Sequence, residues 1–112
     1  MRHRLSRLAV LLLLIVPLQA YPRMHVVVHA TKGTITKPVE LGAFLNGQRI
    51  DAVLSFDWDC GDGTGLITTG PVVFHQYATP GAYQVTVIVT DTTHDDPAAA
   101  TSEPIHAIVT ER

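Results

Sequence analysis

The sequence predicts an all-β protein that folds as an antiparallel β-sandwich. Three observations predict it. After residue 20, apolar and polar residues alternate over short stretches, as in strands with one buried face. Turn-forming pairs that contain Gly or Pro separate these stretches at intervals of about 8–12 residues. No stretch in this part of the chain has apolar residues at helical spacing over three turns, so short strands joined by turns are the predicted architecture.

The first half of the predicted domain contains three strands. HVVVHA forms the first, and PVELGAFL forms the second, in which Val39, Leu41 and, less regularly, Phe44 share a face. In the third, AVLSFDWDC, Asp57 and Asp59 alternate with an apolar face made of Leu54, Phe56, Trp58 and Cys60. Each of these strands therefore has one side for the core.

Three more strands are predicted in the second half. VVFHQY is followed by TPGAYQVTVIVTD, the clearest case of alternation, and PIHAIVTE comes last. In TPGAYQVTVIVTD, the inner face contains Tyr83, Val85, Val87 and Val89, and Ile88 is the one apolar residue on the outer face. Left-handed or fixed dihedral angles are expected to reverse the chain at Lys32-Gly33, Asn46-Gly47, Asp62-Gly63, Gly70-Pro71 and Pro80-Gly81.

The first 20 residues are predicted to be a signal peptide. Residues 1–7 contain three arginines and no acid, residues 8–18 form an apolar run, and the small residue Ala20 follows. Eleven residues are too few for a membrane span, which needs about 20, although a retained signal anchor is the alternative. We therefore expect a secreted, periplasmic or cell-surface protein with no stable membrane span after cleavage.

The composition excludes several classes of function. Cleavage after Ala20 would leave five basic and ten acidic residues, a formal charge of −5 that provides no basic surface for nucleic acid. The single cysteine, Cys60, excludes an intramolecular disulfide framework and any multi-cysteine metal centre. No phosphate-binding loop, nucleophile elbow or paired-glutamate arrangement is visible in the sequence, so we expect no cofactor and no enzymatic activity.

Two motifs carry a family resemblance. DWDCGDGTG at 57–65, followed by HQYATPGAYQVTVIVTD at 75–91, resembles the PKD domain, an immunoglobulin-like module of extracellular proteins. Cys60 stands where this family usually has an aromatic residue, and Val87 where leucine is common. The resemblance implies an immunoglobulin-like sandwich of about seven strands over residues 24–111. The matching motif positions are Trp58, Asp59, Gly61, Asp62, Gly63, His75, Tyr77, Pro80, Gly81, Tyr83 and Asp91.

We predict structural roles for these motif residues. Trp58 is expected at the centre of the core, where truncation to alanine costs about 3–5 kcal/mol. Gly61 and Gly63 are expected in a tight reversal that requires a positive φ. Pro80-Gly81 is expected to turn the chain into the next strand. Tyr83 resembles the tyrosine corner, whose hydroxyl bonds back to the chain.

The acidic residues include weak calcium candidates. Asp57, Asp59 and Asp62 resemble a calcium-binding loop, but the last gap is one residue too long and no glutamate follows at the twelfth position. Asp95 and Asp96 form a second acidic cluster next to a histidine. Structural roles are the preferred interpretation for Asp59 and Asp62, and we predict no metal site.

The histidines and the cysteine also have simple interpretations. His25 and His29 are expected on one face of a strand but about 13 Å apart, too far to share a metal ion. His75 is expected to bond locally near the surface. Cys60 has the same parity as Trp58, so a buried thiol is the preferred interpretation, with a reactive thiol or an intermolecular disulfide as the alternatives.

The resemblance implies an exported, non-catalytic binding module that contacts extracellular or periplasmic proteins or polysaccharides. The alternatives are a purely structural subunit, held in an assembly through an edge strand, and a calcium-dependent adhesin. Polysaccharide binding favours exposed aromatic side chains. Because nearly all seven aromatic residues are assigned to the core, with Tyr21 as the exception, we expect a protein partner rather than a polysaccharide.

Overall fold

The computed structural model describes residues 24–93 and 99–112, which form two packed β-sheets. Within these ranges there is no helix, and therefore none that is long and apolar enough to cross a membrane. The predicted signal peptide lies outside the described residues. The strands are β1 His25–Ala30, β2 Gly33–Thr34, β3 Val39–Asn46, β4 Leu54–Asp59, β5 Gly65–Thr68, β6 Val72–His75, β7 Gly81–Asp91, β8 Ala99–Thr101 and β9 Ile105–Thr110.

The predicted β-sandwich is confirmed, and it contains short strands that the alternation did not reveal. β2 and β8 are two and three residues long, which is too short for an alternating pattern to be visible. The pairing is antiparallel throughout except between β2 and β9, which run parallel with Gly33 opposite Val109. Among the described strands, the larger sheet is therefore mixed, with a single parallel pair at its edge, and the smaller sheet is antiparallel.

The smaller sheet has the strand order β1-β3-β6. Its central strand, β3, pairs with β1 so that Val28 lies opposite Ala43, and with β6 so that Leu41 lies opposite Val73. Because side chains alternate across a strand, Val28, Leu41 and Ala43 point toward the other sheet, and their neighbours point outward.

The larger sheet has the order β2-β9-β7-β4-β5, with β8 also paired to β7. The long strand β7 pairs with β4 along one edge, where Trp58 lies opposite Val87. Along its other edge, the first half of β7 pairs with β9 and the second half with β8. β7 is thus the central strand on which the rest of this sheet is aligned.

The core lies between the two sheets, and Trp58 is its largest fully buried side chain. The Trp58 ring is stacked on Phe56 with the ring centroids 6.4 Å apart, and its indole nitrogen Nε1 donates a hydrogen bond of 3.0 Å to Thr68 Oγ1. Full burial of a large apolar side chain contributes about 1.5–3 kcal/mol. The other buried apolar residues are Met24, Val26, Val28, Val39, Leu41, Ala43, Phe56, Cys60, Tyr77, Val85, Val87, Val89, Ala107 and Val109.

Ser102 is a buried polar residue that sequence patterns did not single out. It lies where β7 changes its partner from β8 to β9, and it is only 4% exposed. Val87 N donates to Ser102 Oγ at 2.9 Å, and Ser102 N donates to the Val87 carbonyl at 2.9 Å. These two bonds satisfy the backbone of Val87 on the edge of β7 away from β4, between the residues that pair with β9 and those that pair with β8.

The expectation that Gly33 reverses the chain is wrong. Gly33 lies in β2 without a positive φ, whereas the glycines that do have a positive φ are Gly47, Gly61 and Gly63. A Cβ at Gly33 would stand 2.6 Å from Val39 Cγ2. This position requires glycine because β2 and the start of β3 approach each other closely.

Candidate functional site

Several of the motif residues lie at the turn between β4 and β5. Asp59 Oδ1 accepts a hydrogen bond of 3.0 Å from Gly61 N, and Asp62 Oδ1 accepts one of 3.0 Å from Thr64 N. Cys60 N closes the turn by donating to the Thr64 carbonyl at 3.1 Å. Both carboxylates therefore act as acceptors for nearby backbone amides, as aspartates in tight turns commonly do.

The turn contains two glycines with positive φ but different surroundings. Gly61 has φ of 83°, and a Cβ built on it would collide with the carbonyl oxygen of Gln84 in β7. Gly63 has φ of 89°, but a Cβ there would meet no heavy atom within 4 Å. Gly61 is therefore constrained by both conformation and space, whereas Gly63 is constrained by conformation alone.

His75 connects this turn to the other sheet. It is the last residue of β6 in the smaller sheet, and its Nε2 lies 2.8 Å from Asp62 Oδ2 in the turn of the larger sheet. The His75 ring also packs edge-on against Tyr77, with the centroids 4.6 Å apart. His75 bonds near the surface, as expected, but its partner is not local in sequence, because Asp62 is thirteen residues away.

The bonds to Asp62 determine its titration. Partial burial raises the pKa of this carboxyl, but hydrogen bonds from His75 and Thr64 lower it more, so the pKa lies below its ordinary value of 3.8. A carboxyl with a lower pKa in the folded state stabilises the fold above its unfolded-state pKa. That stabilisation is lost as the pH falls through the folded-state pKa.

Asp62→Asn is therefore expected to lower the free energy of unfolding by about 1 kcal/mol at neutral pH, because the carboxylate is partly exposed. The difference from the wild type should shrink below about pH 4 and vanish in strong acid. Urea denaturation of both proteins over this pH range checks it. Asp57→Asn, at an exposed position of β4, is the matched control, and a similar pH-dependent loss in that variant would contradict the prediction.

Tyr77 lies at the centre of an aromatic cluster next to the turn. Its side chain is 1% exposed, and its hydroxyl donates a hydrogen bond of 2.7 Å to the Cys60 carbonyl. The ring stacks on Tyr83 with the centroids 4.2 Å apart, and Tyr83 OH donates to the Thr79 carbonyl at 2.7 Å. Burial raises the pKa of Tyr77 well above its ordinary value, so the hydroxyl keeps its proton and acts as a donor.

The remaining motif residues lie at the two ends of β7. Gly81 is its first residue, opposite Val109, and the exposed Pro80 precedes it. Asp91 is its last residue and is 3% exposed, and its Oδ1 accepts hydrogen bonds from the backbone amide and the hydroxyl of Thr93. Gly81 and Asp91 therefore mark the beginning and the end of the central strand of the larger sheet.

The Cys60 thiol is buried at the end of β4. Burial, together with the negative charges of Asp62 and Asp59, raises its pKa to about 11. Because the thiolate is the nucleophile, both effects suppress reactivity.

We expect the native protein to react with a thiol reagent at least about a hundredfold more slowly than the denatured protein, because both accessibility and the thiolate fraction are reduced. Labelling at neutral pH with and without denaturant, followed by mass spectrometry, measures the two rates. Rapid labelling of native protein would contradict the prediction, as would a covalent dimer on a non-reducing gel.

The structure separates the calcium candidates from one another. Asp57 and Asp59 line an open groove of about 480 Å³ on the outer surface of the larger sheet, whereas both oxygens of Asp62 are engaged by Thr64 and His75. Over residues 24–93 and 99–112, no three His, Cys, Asp or Glu side chains come close enough to hold a metal ion. The candidates Asp95 and Asp96 lie outside the described residues.

Four large apolar side chains are exposed on the outer surface of the smaller sheet. We call this surface the apolar face, and it is formed by Val27 on β1, Phe44 on β3, and Val72 and Phe74 on β6. Phe44 is 63% exposed and Phe74 is 62% exposed. The expectation that nearly all aromatic residues belong to the core is therefore wrong for these two.

The parity of the strands contained a signal for this face. Val39, Leu41 and Ala43 all point inward, so Phe44, at the other parity, has to point outward. Phe74 likewise alternates with the partly buried Val73. Grouping Phe44 with Val39 and Leu41 relied on hydrophobicity and ignored this parity.

The comparisons with known proteins agree with the motifs. A sequence model of a family described as the PKD domain matches residues 20–104, which is more than half of the chain. No curated protein matches the chain.

Proposed function

Because the chain belongs to the PKD domain family, we propose that it is an exported, non-catalytic interaction module that contacts extracellular or periplasmic proteins or polysaccharides. The observation that carries this proposal is the apolar face, because one sheet of the sandwich exposes two phenylalanines and two valines together. Antiparallel sheets normally place polar residues on the side that faces water. A contiguous exposed apolar patch is typical of an interaction surface.

The contacts of the motif residues support separate structural and binding surfaces within the domain. Asp59, Asp62, His75 and Tyr77 all direct polar atoms to other atoms of the same chain. Side chains used in this way are poorly available for a ligand. We propose that they hold the two sheets together and that contact with a partner falls to the apolar face.

The N-terminal segment supports export. Residues 1–20 have the basic and apolar composition of a signal peptide, and a PKD domain is typically extracellular. An exported interaction module without chemistry of its own fits these observations better than an enzyme.

The proposal is tested by capture on the immobilised protein. The wild type and a Phe44→Ser, Phe74→Ser variant are exposed to secreted proteins and, separately, to insoluble polysaccharides such as cellulose and chitin. We expect the wild type to retain a ligand that the variant does not. Retention of the same ligands by both proteins would contradict a contact surface at the apolar face, as would retention of none by a wild type that also does not self-associate. Thermal melts check that the variant is folded, as expected for substitutions at exposed positions.

A further inference from the structure

We propose that a second copy of this chain packs on the apolar face, so that the two smaller sheets stack with their strands antiparallel. This inference rests on the proposed function, because it names a partner for the same face.

The apolar face contains a projection and a gap side by side. At its centre is Gly42, where an added Cβ would meet no heavy atom within 4 Å. His29 and Val72 lie opposite Gly42 on the two neighbouring strands. Phe44 lies two residues further along β3 on the same face, about 7 Å away, and its ring contacts His29 with the centroids 4.7 Å apart. The surface therefore rises at Phe44 and drops at Gly42.

This arrangement is complementary to itself. A two-fold axis in the interface, perpendicular to the strands and between Gly42 and Phe44, places each Phe44 above Gly42 of the second copy. A two-fold interface uses the same patch on both copies, so the contact between Phe44 of one copy and Gly42 of the other occurs twice. Stacked sheets lie about 10 Å apart, and a large ring opposite a glycine fills that space.

Charge selects the antiparallel arrangement. On the outer surface of β1 and β3 the titratable side chains are His25, His29 and Glu40, with His25 at one end, opposite Asn46, and Glu40 at the other. The perpendicular axis reverses the strands, so His25 of each copy comes within one strand of Glu40 of the second copy. An axis parallel to the strands would instead place the two Glu40 carboxylates opposite each other, which is unfavourable.

The size of the face indicates a weak dimer. Three strands about 5 Å apart and up to eight residues long present a surface of roughly 15 Å by 25 Å. Stable complexes bury about 800 Å² on each partner, so this face corresponds to the small, transient class. We therefore expect a dimer that dissociates on dilution.

Sedimentation velocity of the purified protein at increasing concentration, up to the millimolar range, tests the proposal. Gly42→Val fills the gap, and its Cβ would meet no heavy atom within 4 Å. We expect it to weaken dimerisation on the order of tenfold or more while leaving the fold intact. Ile67→Ser is the matched control. It removes an isoleucine that is 75% exposed on the outer surface of the larger sheet, and it should leave dimerisation unchanged.

Charge variants test the direction of the strands. His25→Lys should tighten the dimer about two- to fivefold, and Glu40→Lys should weaken it by a similar factor. Combining Glu40→Lys with His25→Glu should restore dimerisation, because the swap keeps opposite charges facing each other. Failure of the combined variant to recover would overturn the antiparallel arrangement.

A wild type that stays monomeric at every concentration would overturn the dimer, as would a Gly42→Val variant that dimerises like the wild type. A monomer whose capture of a polysaccharide or another protein still depends on Phe44 would leave the proposed function standing and remove only the second copy as the partner. A monomer that captures nothing would remove both.

Discussion

Gly61→Ala is expected to lower the free energy of unfolding by at least about 3–4 kcal/mol, which is a large part of the stability of a domain of this size. Two causes add at this position. A side chain at φ of 83° is strained, and the new Cβ would collide with backbone atoms of Gln84 in the central strand of the larger sheet. Since backbone atoms move less easily than a flexible side chain, relief requires the turn to separate from β7.

Gly63→Ala is the matched control, because it introduces the same substitution two residues away in the same turn. Gly63 has a similar φ, but its Cβ would stand in open space. Only the conformational cost remains, about 1 kcal/mol. Urea denaturation followed by tryptophan fluorescence, with Trp58 as the probe, measures both variants. Equal losses in the two would contradict a steric role for Gln84 and leave strain as the sole cause.

The sequence alone predicted those strands whose own residues alternate clearly between apolar and polar. β7 shows why: Val85, Val87 and Val89 alternate with outward-facing residues, of which only Ile88 is apolar, so the inner face could be assigned without knowing the neighbouring strands. The first motif likewise contained the turn between β4 and β5. β2 and β8 could not be found in this way, because their pairing with β9 and β7 rather than their own sequence makes them strands.

The site was less predictable because its contacts join distant parts of the chain. The bonds between His75 and Asp62 and between Ser102 and Val87 depend on how the strands are placed relative to one another. A single sequence contains the residue types but not that placement. The error about Phe44 has a different origin, since parity was available and hydrophobicity was given more weight.

The exposed phenylalanines also change the choice between partners. The preference for a protein over a polysaccharide depended on the absence of exposed aromatic side chains, and Phe44 and Phe74 remove that argument. The preference for a protein now depends on other observations, namely the gap at Gly42 beside Phe44 and the separation of His25 from Glu40 along the same face. Both are features that a second copy of the chain would match and that a neutral polysaccharide would leave unused.

Tyr77→Ala is expected to lower the free energy of unfolding by about 3–5 kcal/mol. For a domain of this size, this corresponds to a fall in melting temperature of roughly 10 °C or more. The side chain is buried between the sheets, where it stacks on Tyr83 and contacts His75. Its removal opens a cavity beside the turn between β4 and β5. It also leaves the Cys60 carbonyl without the hydroxyl that bonds to it.

Tyr77→Phe separates these two contributions, because it keeps the ring and removes only the hydroxyl. The buried Cys60 carbonyl then loses its donor, and we expect a loss of about 1–3 kcal/mol. Tyr83→Phe is the matched control: it removes a hydroxyl of the same kind, but its bond to Thr79 is exposed, so its loss should be smaller, about 0.5–1 kcal/mol. If Tyr77→Phe and Tyr83→Phe lowered the free energy of unfolding equally, burial would not increase the contribution of the Tyr77 hydrogen bond to stability. If Tyr77→Ala were no worse than Tyr77→Phe, the ring would contribute nothing to holding the sheets together.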